Sequence, residues 1–357
     1  MKKNLPALLL LTSISTLTGF TQADVAKVNA EAMQGQTPKT SVYTPDNSEI
    51  EYLVLNDTAI IMGDIAVGSQ QEIQSKGIST LEVKDFDQLN TLSDELTAKA
   101  AWAGATTWPN SVVPFVIDAS SQPDAAVIRA GMDLIASQTG VRFVQRNNQT
   151  NYLRIFKGQG CWSFIGRKGG QQNLSIGPGC AWKKTVAHEL MHALGFLHEQ
   201  SRADRDNFVR INYNNIQDGR AGQFNKKGPI TTSVGSYDYH SVMHYGHKAF
   251  SKNGKPTIVS LDPNIPNQQL GKSNGLTNKD IAAIRNKYGS GNASPLTAFE
   301  NCDFTGWSAK IPEGHHNLKF LKTKGFVNDQ MSHLKLHLDG EFACIKMWDG
   351  AETTLKL

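Results

Sequence analysis

Residues 188–206 read HELMHALGFLHEQSRADRD. His188 and His192 are four positions apart, so on a helix they stand one turn above each other on the same face. Two imidazoles placed that way can reach one metal ion, and Glu189 sits beside the first of them. Gly195 falls where such a helix must stop, because glycine tolerates the left-handed conformation that turns a chain away from a helix end. His198 comes after that turn and can close on the same ion from another side. Three neutral imidazoles on Zn²⁺ leave one coordination position open, which separates a catalytic zinc site from a closed structural one. HExxH alone is a modest signal. The full spacing, with its glycine and third histidine, is far more restrictive.

This stretch resembles the metzincin zinc peptidases. The continuation His198-Glu199, then Arg202, Asp204, Arg205 and Asp206, is similar to the astacin family in particular. The resemblance implies an α+β fold, a metzincin-type zinc peptidase domain of two subdomains in which a twisted sheet with an edge strand lies beside the zinc helix. It also implies His188, His192 and His198 as ligands of one catalytic Zn²⁺ and Glu189 as general base. The plainer alternative is a helix with buried, satisfied histidines or a purely structural zinc.

The elements that must position these groups occupy only part of the chain. Lys2 and Lys3 precede an apolar run from Leu8 to Leu11 that continues weakly to Phe20, and Thr21-Gln22-Ala23 offers small residues for cleavage. Residues 1–23 therefore read as a secretory signal peptide, and the product as secreted. No other segment is long and apolar enough to span a bilayer. The remaining length implies two or three domains.

Charge divides the chain. Between Asp24 and Lys99 there are thirteen acidic and five basic side chains, a net of −8. Setting that segment and the two signal lysines aside from the total of +4 leaves +10 for residues 100–357. An acidic segment ahead of a basic body suits a prosegment, 24–99, lying across the enzyme as its own inhibitor. A loosely structured acidic spacer has the same composition. Ile61-Met62-Gly63-Asp64-Ile65 bears on that choice. Astacin prosegments carry a Phe-x-Gly-Asp motif whose aspartate binds the zinc of the zymogen. Asp64 matches that aspartate, while Met62 and Ile61 depart from the motif on its aromatic side. A carboxylate is a competent zinc ligand, so Asp64 would serve as the zymogen latch. An activating protease cutting near Lys99 would make Ala100 the new N-terminus, and the resemblance implies that its ammonium reaches Glu199.

From 100 to 288 the catalytic domain is expected to begin with a strand at Val112–Val116 and a helix from Pro123 to Gln138. Short strands follow at Val141–Phe143 and Tyr152–Phe156. Cys161 to Gly166 and Leu174 to Ile176 are similar to the family's edge strand and the strand that leads into the zinc helix. Free N–H and C=O groups on an edge strand can pair with an extended peptide, which fits a protein or peptide substrate. Four cysteines in an exported chain suggest two disulfides. The family has a bridge at positions matching Cys161 and Cys180, which leaves Cys302 and Cys344 as the second pair. Gly140 stands where the family has another cysteine.

Tyr237 to Gly246, which reads YDYHSVMHYG, carries the second resemblance. Met243 matches the metzincin methionine turn, and Tyr245 the tyrosine that binds zinc at rest and then stabilises the oxyanion. Residues 289–296 are linker-like in composition. The remainder, 297–357, resembles a small all-β Greek-key domain of the βγ-crystallin type from Phe299 to Gly306. Asn328, Asp329 and Ser332 are similar to that family's Ca²⁺ motif, with His333 at the place of its second serine. The whole chain thus reads as a secreted zinc endopeptidase made as a latent precursor, with no nucleic-acid partner. The rival reading is a secreted binding or adhesion protein with a non-catalytic metal fold.

Overall fold

The computed structural model describes residues 22–43, 47–78, 101–102, 105–226, 232–233 and 236–289, with short strands between Leu296 and Lys356. Helix α1 (Gln22–Ala32) comes first. Strands β1 (Lys39–Tyr43), β2 (Ser48–Leu55), β3 (Thr58–Ile61) and β4 (Ile65–Ser69) then form an antiparallel meander. Asn56 and Asp57, both at positive φ, make the two-residue turn between β2 and β3, a conformation these two residue types tolerate. Helix α2 (Gln70–Lys76) closes this N-terminal part, its first turn capped by the Ser69 hydroxyl, which accepts from the Glu72 N–H.

Period-two alternation buries the meander on both faces. Tyr52, Ile61, Ile65 and Val67 join Ile73 and Ile78 on one face, together with Ile165 and Leu197 from further along the chain. Leu53, Leu55, Ile60 and Ala66 pack with Met33 and Trp162 on the other. The described residues of the segment expected as a prosegment therefore fold as sheet and helix and share their core with the body.

In the body, β5 (Ala101–Trp102) is followed by β6 (Val112–Ile117), α3 (Ala125–Ala136), β7 (Arg142–Gln145) and β8 (Tyr152–Phe156). Next come β9 (Cys161–Phe164), β10 (Gln171–Ile176), α4 (Lys183–Ala193), β11 (Val209–Ile211), β12 (Thr232–Ser233), β13 (Ile258–Ser260) and α5 (Asn278–Tyr288). The helix expected from Pro123 starts two residues later. Residues 119–124 form a 3₁₀ turn capped by the Asp118 carboxylate, which accepts from the Ser120 N–H at 3.0 Å.

One nine-stranded sheet runs β1-β2-β3-β4-β9-β10-β8-β6-β7. Strands β10, β8, β6 and β7 pair in parallel, while β9 is antiparallel to β10. This is a mixed sheet with helices, and α3 and α4 bury their apolar sides in the main core with Phe115, Leu153, Leu174 and Ile284. Strand β9, expected at an edge, lies inside the sheet. β4 pairs with its outer side in parallel, placing Ile65 against Ser163 and Ala66 against Phe164.

The Cys161–Cys180 disulfide forms, with Cα atoms 5.7 Å apart. At Gly140, the place of the family's missing cysteine, the N–H donates to the Gly289 carbonyl at 2.9 Å and so ties the end of α3 to the end of α5. Beyond Gly289, strands β14 (Leu296–Phe299), β15 (Ser308–Ile311), β16 (His315–His316), β17 (His333–Leu338), β18 (Glu341–Lys346) and β19 (Leu355–Lys356) pair as β14–β15, β16–β19 and β17–β18. Cys302, the expected partner of Cys344, and the Asn328, Asp329 and Ser332 cluster lie outside the described residues. No described helix is long and apolar enough to cross a membrane.

Candidate active site and metal centre

Helix α4 is buried from Lys184 to Ala193, so its two histidines sit in the interior. It ends where sequence spacing places the end. Gly195 takes φ 104°, its N–H donates to the His192 carbonyl at 2.8 Å, and the Phe196 N–H reaches back to the Met191 carbonyl at 3.0 Å. The reversal brings His198 back beside His188, with Nε2 atoms 3.3 Å apart. His188, His192 and His198 are all fully buried.

Two of the rings are oriented by carbonyls. His188 Nδ1 donates to Val242 O at 2.9 Å and His192 Nδ1 to Phe196 O at 2.7 Å. A carbonyl only accepts, so Nδ1 carries the proton and Nε2 presents a lone pair to the centre. Burial holds His188 below its ordinary pKa and His198 down to about 4 in spite of the nearby carboxylate, and so favours the neutral form of these two rings.

That carboxylate is Asp64. It enters from the β3–β4 turn, 3.3 Å from His188 Nε2, 3.4 Å from His192 Nε2 and 3.0 Å from His198 Nε2. Burial opposes its charge, but His198 and the hydrogen-bonding imidazoles hold it well below the usual carboxylate range. The four ligand atoms lie within 4.8 Å of one another, a set that could hold a metal ion. Neither His192 Nε2 nor Asp64 Oδ1 has a hydrogen-bond partner among the described residues. Neutral imidazole lone pairs facing an ionised carboxylate are an arrangement that a cation would satisfy, and the nitrogen-and-oxygen donor set suits zinc.

The turn that carries Asp64 is built for close approach. Met62 has φ 49° and Gly63 φ 85°, and a Cβ at Gly63 would overlap the Tyr245 hydroxyl. Tyr245 is itself buried, its ring centroid 4.6 Å from that of His198, and its hydroxyl donates to the Met62 carbonyl. Glu189 is fully buried and neither of its carboxylate oxygens has a hydrogen-bond partner among the described residues. Burial first, and then the Asp64 charge, push it well above the usual carboxylate range.

The loop around Met243 supports the site through its backbone. Val242 O accepts from His188, Met243 O accepts from the Glu199 N–H at 3.0 Å, and the Tyr245 N–H donates to Gln200 Oε1 at 2.9 Å. Met243 itself is buried in the main core. Glu199 accepts from Arg202 Nη1 at 3.0 Å and from the Asp238 N–H at 2.9 Å, and burial, opposed by Arg202, pushes it up to about 7. Ala100, its expected partner, lies outside the described residues. His244 is buried against Tyr237, whose hydroxyl is 2.8 Å from Nε2, and stands apart from the metal cluster.

Three residues were missed by sequence reasoning. Gln200 holds Tyr245 as described, and Asn29 of α1 reaches the β9 backbone. Asp280 accepts from Ser241 Oγ at 2.6 Å, from the Val242 N–H at 3.0 Å and from the Thr277 N–H at 2.9 Å. The Thr277-x-x-Asp280 pattern signals a capping box, but nothing local says that the same carboxylate also holds the loop behind His188. Asp280→Ala strands two buried donors and one half-buried donor and is expected to cost about 3 kcal/mol of stability. Urea unfolding measures it. A loss below about 1 kcal/mol would show that the loop holds its shape without Asp280.

The model of the astacin peptidase family matches residues 101–289. Blastula protease 10 of Paracentrotus lividus is 39% identical over 233 residues, covering 61% of this chain and 37% of that protein. High choriolytic enzyme 1 of Oryzias latipes is 41% identical over 200 residues, covering 54% of this chain and 73% of that protein. The solved structure of the same hatching enzyme zinc-protease covers 52% of this chain and 93% of its own, at 40% identity and a TM-score of 0.47. Zinc metalloproteinase nas-15 of Caenorhabditis elegans is 45% identical over 186 residues, and the match spans 32% of its length. The chain therefore covers about a third of the length of several curated relatives that it matches. With more than half of its residues matched by the family model, this chain belongs to the astacin family of zinc metallopeptidases.

Proposed function

We propose that the chain is a secreted zinc endopeptidase made as a latent precursor. The observation that carries this reading is the convergence of three imidazoles beside a buried glutamate that has no partner among the described residues, closed off by a carboxylate from the N-terminal part. His188, His192 and His198 would hold the metal, with Asp64 as its fourth ligand until the prosegment leaves. Zinc in that site polarises a peptide carbonyl and brings the pKa of a water toward neutrality. Glu189 takes the proton of the attacking water and returns it to the departing amine. Tyr245, once freed from Met62, donates its hydroxyl to the oxyanion that develops on the substrate. Met243 and its loop keep the imidazoles aimed.

The same reading assigns 1–23 to the signal peptide, 24–99 to the prosegment and 100–288 to the catalytic domain. Residues 289–296 are then a linker and 297–357 a βγ-crystallin-like module, with Asn328, Asp329 and Ser332 as its Ca²⁺ ligands and a Cys302–Cys344 bridge. Glu199 would exchange its present partners for the Ala100 ammonium after activation, since a buried carboxylate and a buried ammonium satisfy each other.

The test is cleavage of a denatured protein by the chain truncated before Ala100. Activity is expected to fall at least a hundredfold when a chelator removes the metal and to return when zinc is added back. Cleavage that persists without metal would overturn the assignment. A truncated chain that is folded and zinc-loaded yet cleaves nothing would support the non-catalytic alternative.

A further inference from the structure

The attachments of the N-terminal part point to a further property of that latency, one that rests on the peptidase reading. We infer that residues 24–78 are a dissociable inhibitor, which stays seated on the catalytic domain after the chain has been cut between Ile78 and Ala100. A cut there is then not activation. Activation is the later departure or digestion of the seated part.

The inference follows from where the contacts lie. Asn29 is fully buried on α1, and its carboxamide faces the first residue of β9. Asn29 Oδ1 accepts from the Cys161 N–H at 2.8 Å, and Nδ2 donates to Cys161 O at 2.8 Å and to Gly63 O at 3.1 Å. A carboxamide has the donor and acceptor of a peptide group, so Asn29 pairs with β9 as one residue of an added strand would. It takes the two groups of Cys161 that point away from β10 and also braces the turn that carries Asp64. Two positions on, the Ser163 N–H donates to the Asp64 carbonyl at 3.0 Å, where β4 begins its pairing with β9. Both contacts occupy the strand side that an extended substrate would need.

Other contacts are spread across the same face. Arg220 Nη2 donates to Met33 O at 2.6 Å, just beyond the end of α1. The Gln159 N–H donates to Asn56 Oδ1, and the Tyr245 hydroxyl to Met62 O. Trp162 is buried among Met33, Leu53, Leu55 and Ile60, and Ala26 lies in the cluster of Phe224, Tyr245 and Phe250. Every one of these partners falls within residues 26–66, and a cut after Ile78 breaks none of them. What the cut removes is the tether. A covalently held segment rebinds at an effective concentration of about a millimolar, which masks weakened contacts, whereas a cut segment is lost at its own dissociation rate.

The test places a site-specific protease sequence between Ile78 and Ala100 of the full-length chain. Cut wild-type protein is expected to run as one complex in gel filtration, with under a tenth of the peptidase activity of the chain truncated before Ala100. Activity should then appear slowly on dilution. Asn29→Leu, which removes three hydrogen bonds at similar volume, should release the segment at least tenfold faster once cut, and while uncut should show well under the activity it reaches after the cut, because the tether returns the segment to its seat. Asn29→Asp, which keeps an acceptor for Cys161, should fall between the two. Thermal unfolding of the uncut variants confirms that they fold. Separate elution of the two fragments, with full activity as soon as the chain is cut, would overturn the inference, and so would release of the Asn29→Leu segment at the wild-type rate. Failure of the truncated chain to cleave any peptide would instead sink the peptidase reading, because co-elution is scored without activity.

Discussion

Glu189→Gln in the chain truncated before Ala100 is expected to lower kcat/KM by about 10³, inside the range that a positioned general base contributes. Glutamine keeps the volume and one carbonyl oxygen but cannot take a proton from water. The local structure gives the side chain no other task. Its two oxygens are buried and unpartnered among the described residues, so the amide breaks no hydrogen bond of the fold. Zinc content and unfolding temperature should therefore stay at wild-type values while turnover collapses. Activity within tenfold of wild type would remove Glu189 from the chemistry.

Asp64→Ala in the full-length chain acts in the opposite sense. Asp64 is buried among three imidazoles, and removing one partner from a buried charged cluster costs about 3–5 kcal/mol. That loss falls on the docked state of the N-terminal part, so the site should open at least about a hundredfold more often. Peptidase activity of the uncut precursor is expected to rise by a similar factor. It should still lie below that of the truncated chain, because Asn29 and β4 continue to cover β9. A precursor as silent as wild type would show that Asp64 does not maintain latency.

The legible part of the site is the part whose geometry is local. A helix fixes the His188–His192 spacing, and a glycine reversal fixes the return to His198, so a short stretch of sequence carries three donors of the cluster. Asp64 is 124 positions from His188, and a Gly-Asp pair is an ordinary turn by itself. It could be singled out because the residues around it resemble a family motif. The family resemblance implies an edge at strand β9, and among its neighbours in the body it pairs with β10 alone. Its outer side is covered by β4, which shares no local signal with it. The acidic composition of 24–99 conceals a well-packed meander, because charge counts respond to exposed side chains while Tyr52, Leu53, Leu55, Ile60 and Ile61 form the interior. Asn29 and Asp280 were invisible for a related reason. Each is one polar residue whose partners, Cys161 and Ser241, are far along the chain.

These elements form a single dependency. Helix α5 holds the Met243 loop through Asp280, the loop orients His188 through Val242, and α4 with its glycine reversal sets the three rings around one point. The N-terminal part closes that point with Asp64 and covers the neighbouring strand with Asn29.

Metal content of the chain truncated before Ala100, measured by elemental analysis after exhaustive dialysis, bears most directly on the three-imidazole centre. One zinc per chain is expected, falling below a tenth of that in folded His198→Ala. A folded truncated chain without zinc, or His198→Ala protein that retains it in full, would contradict the assignment of these three rings to one metal ion.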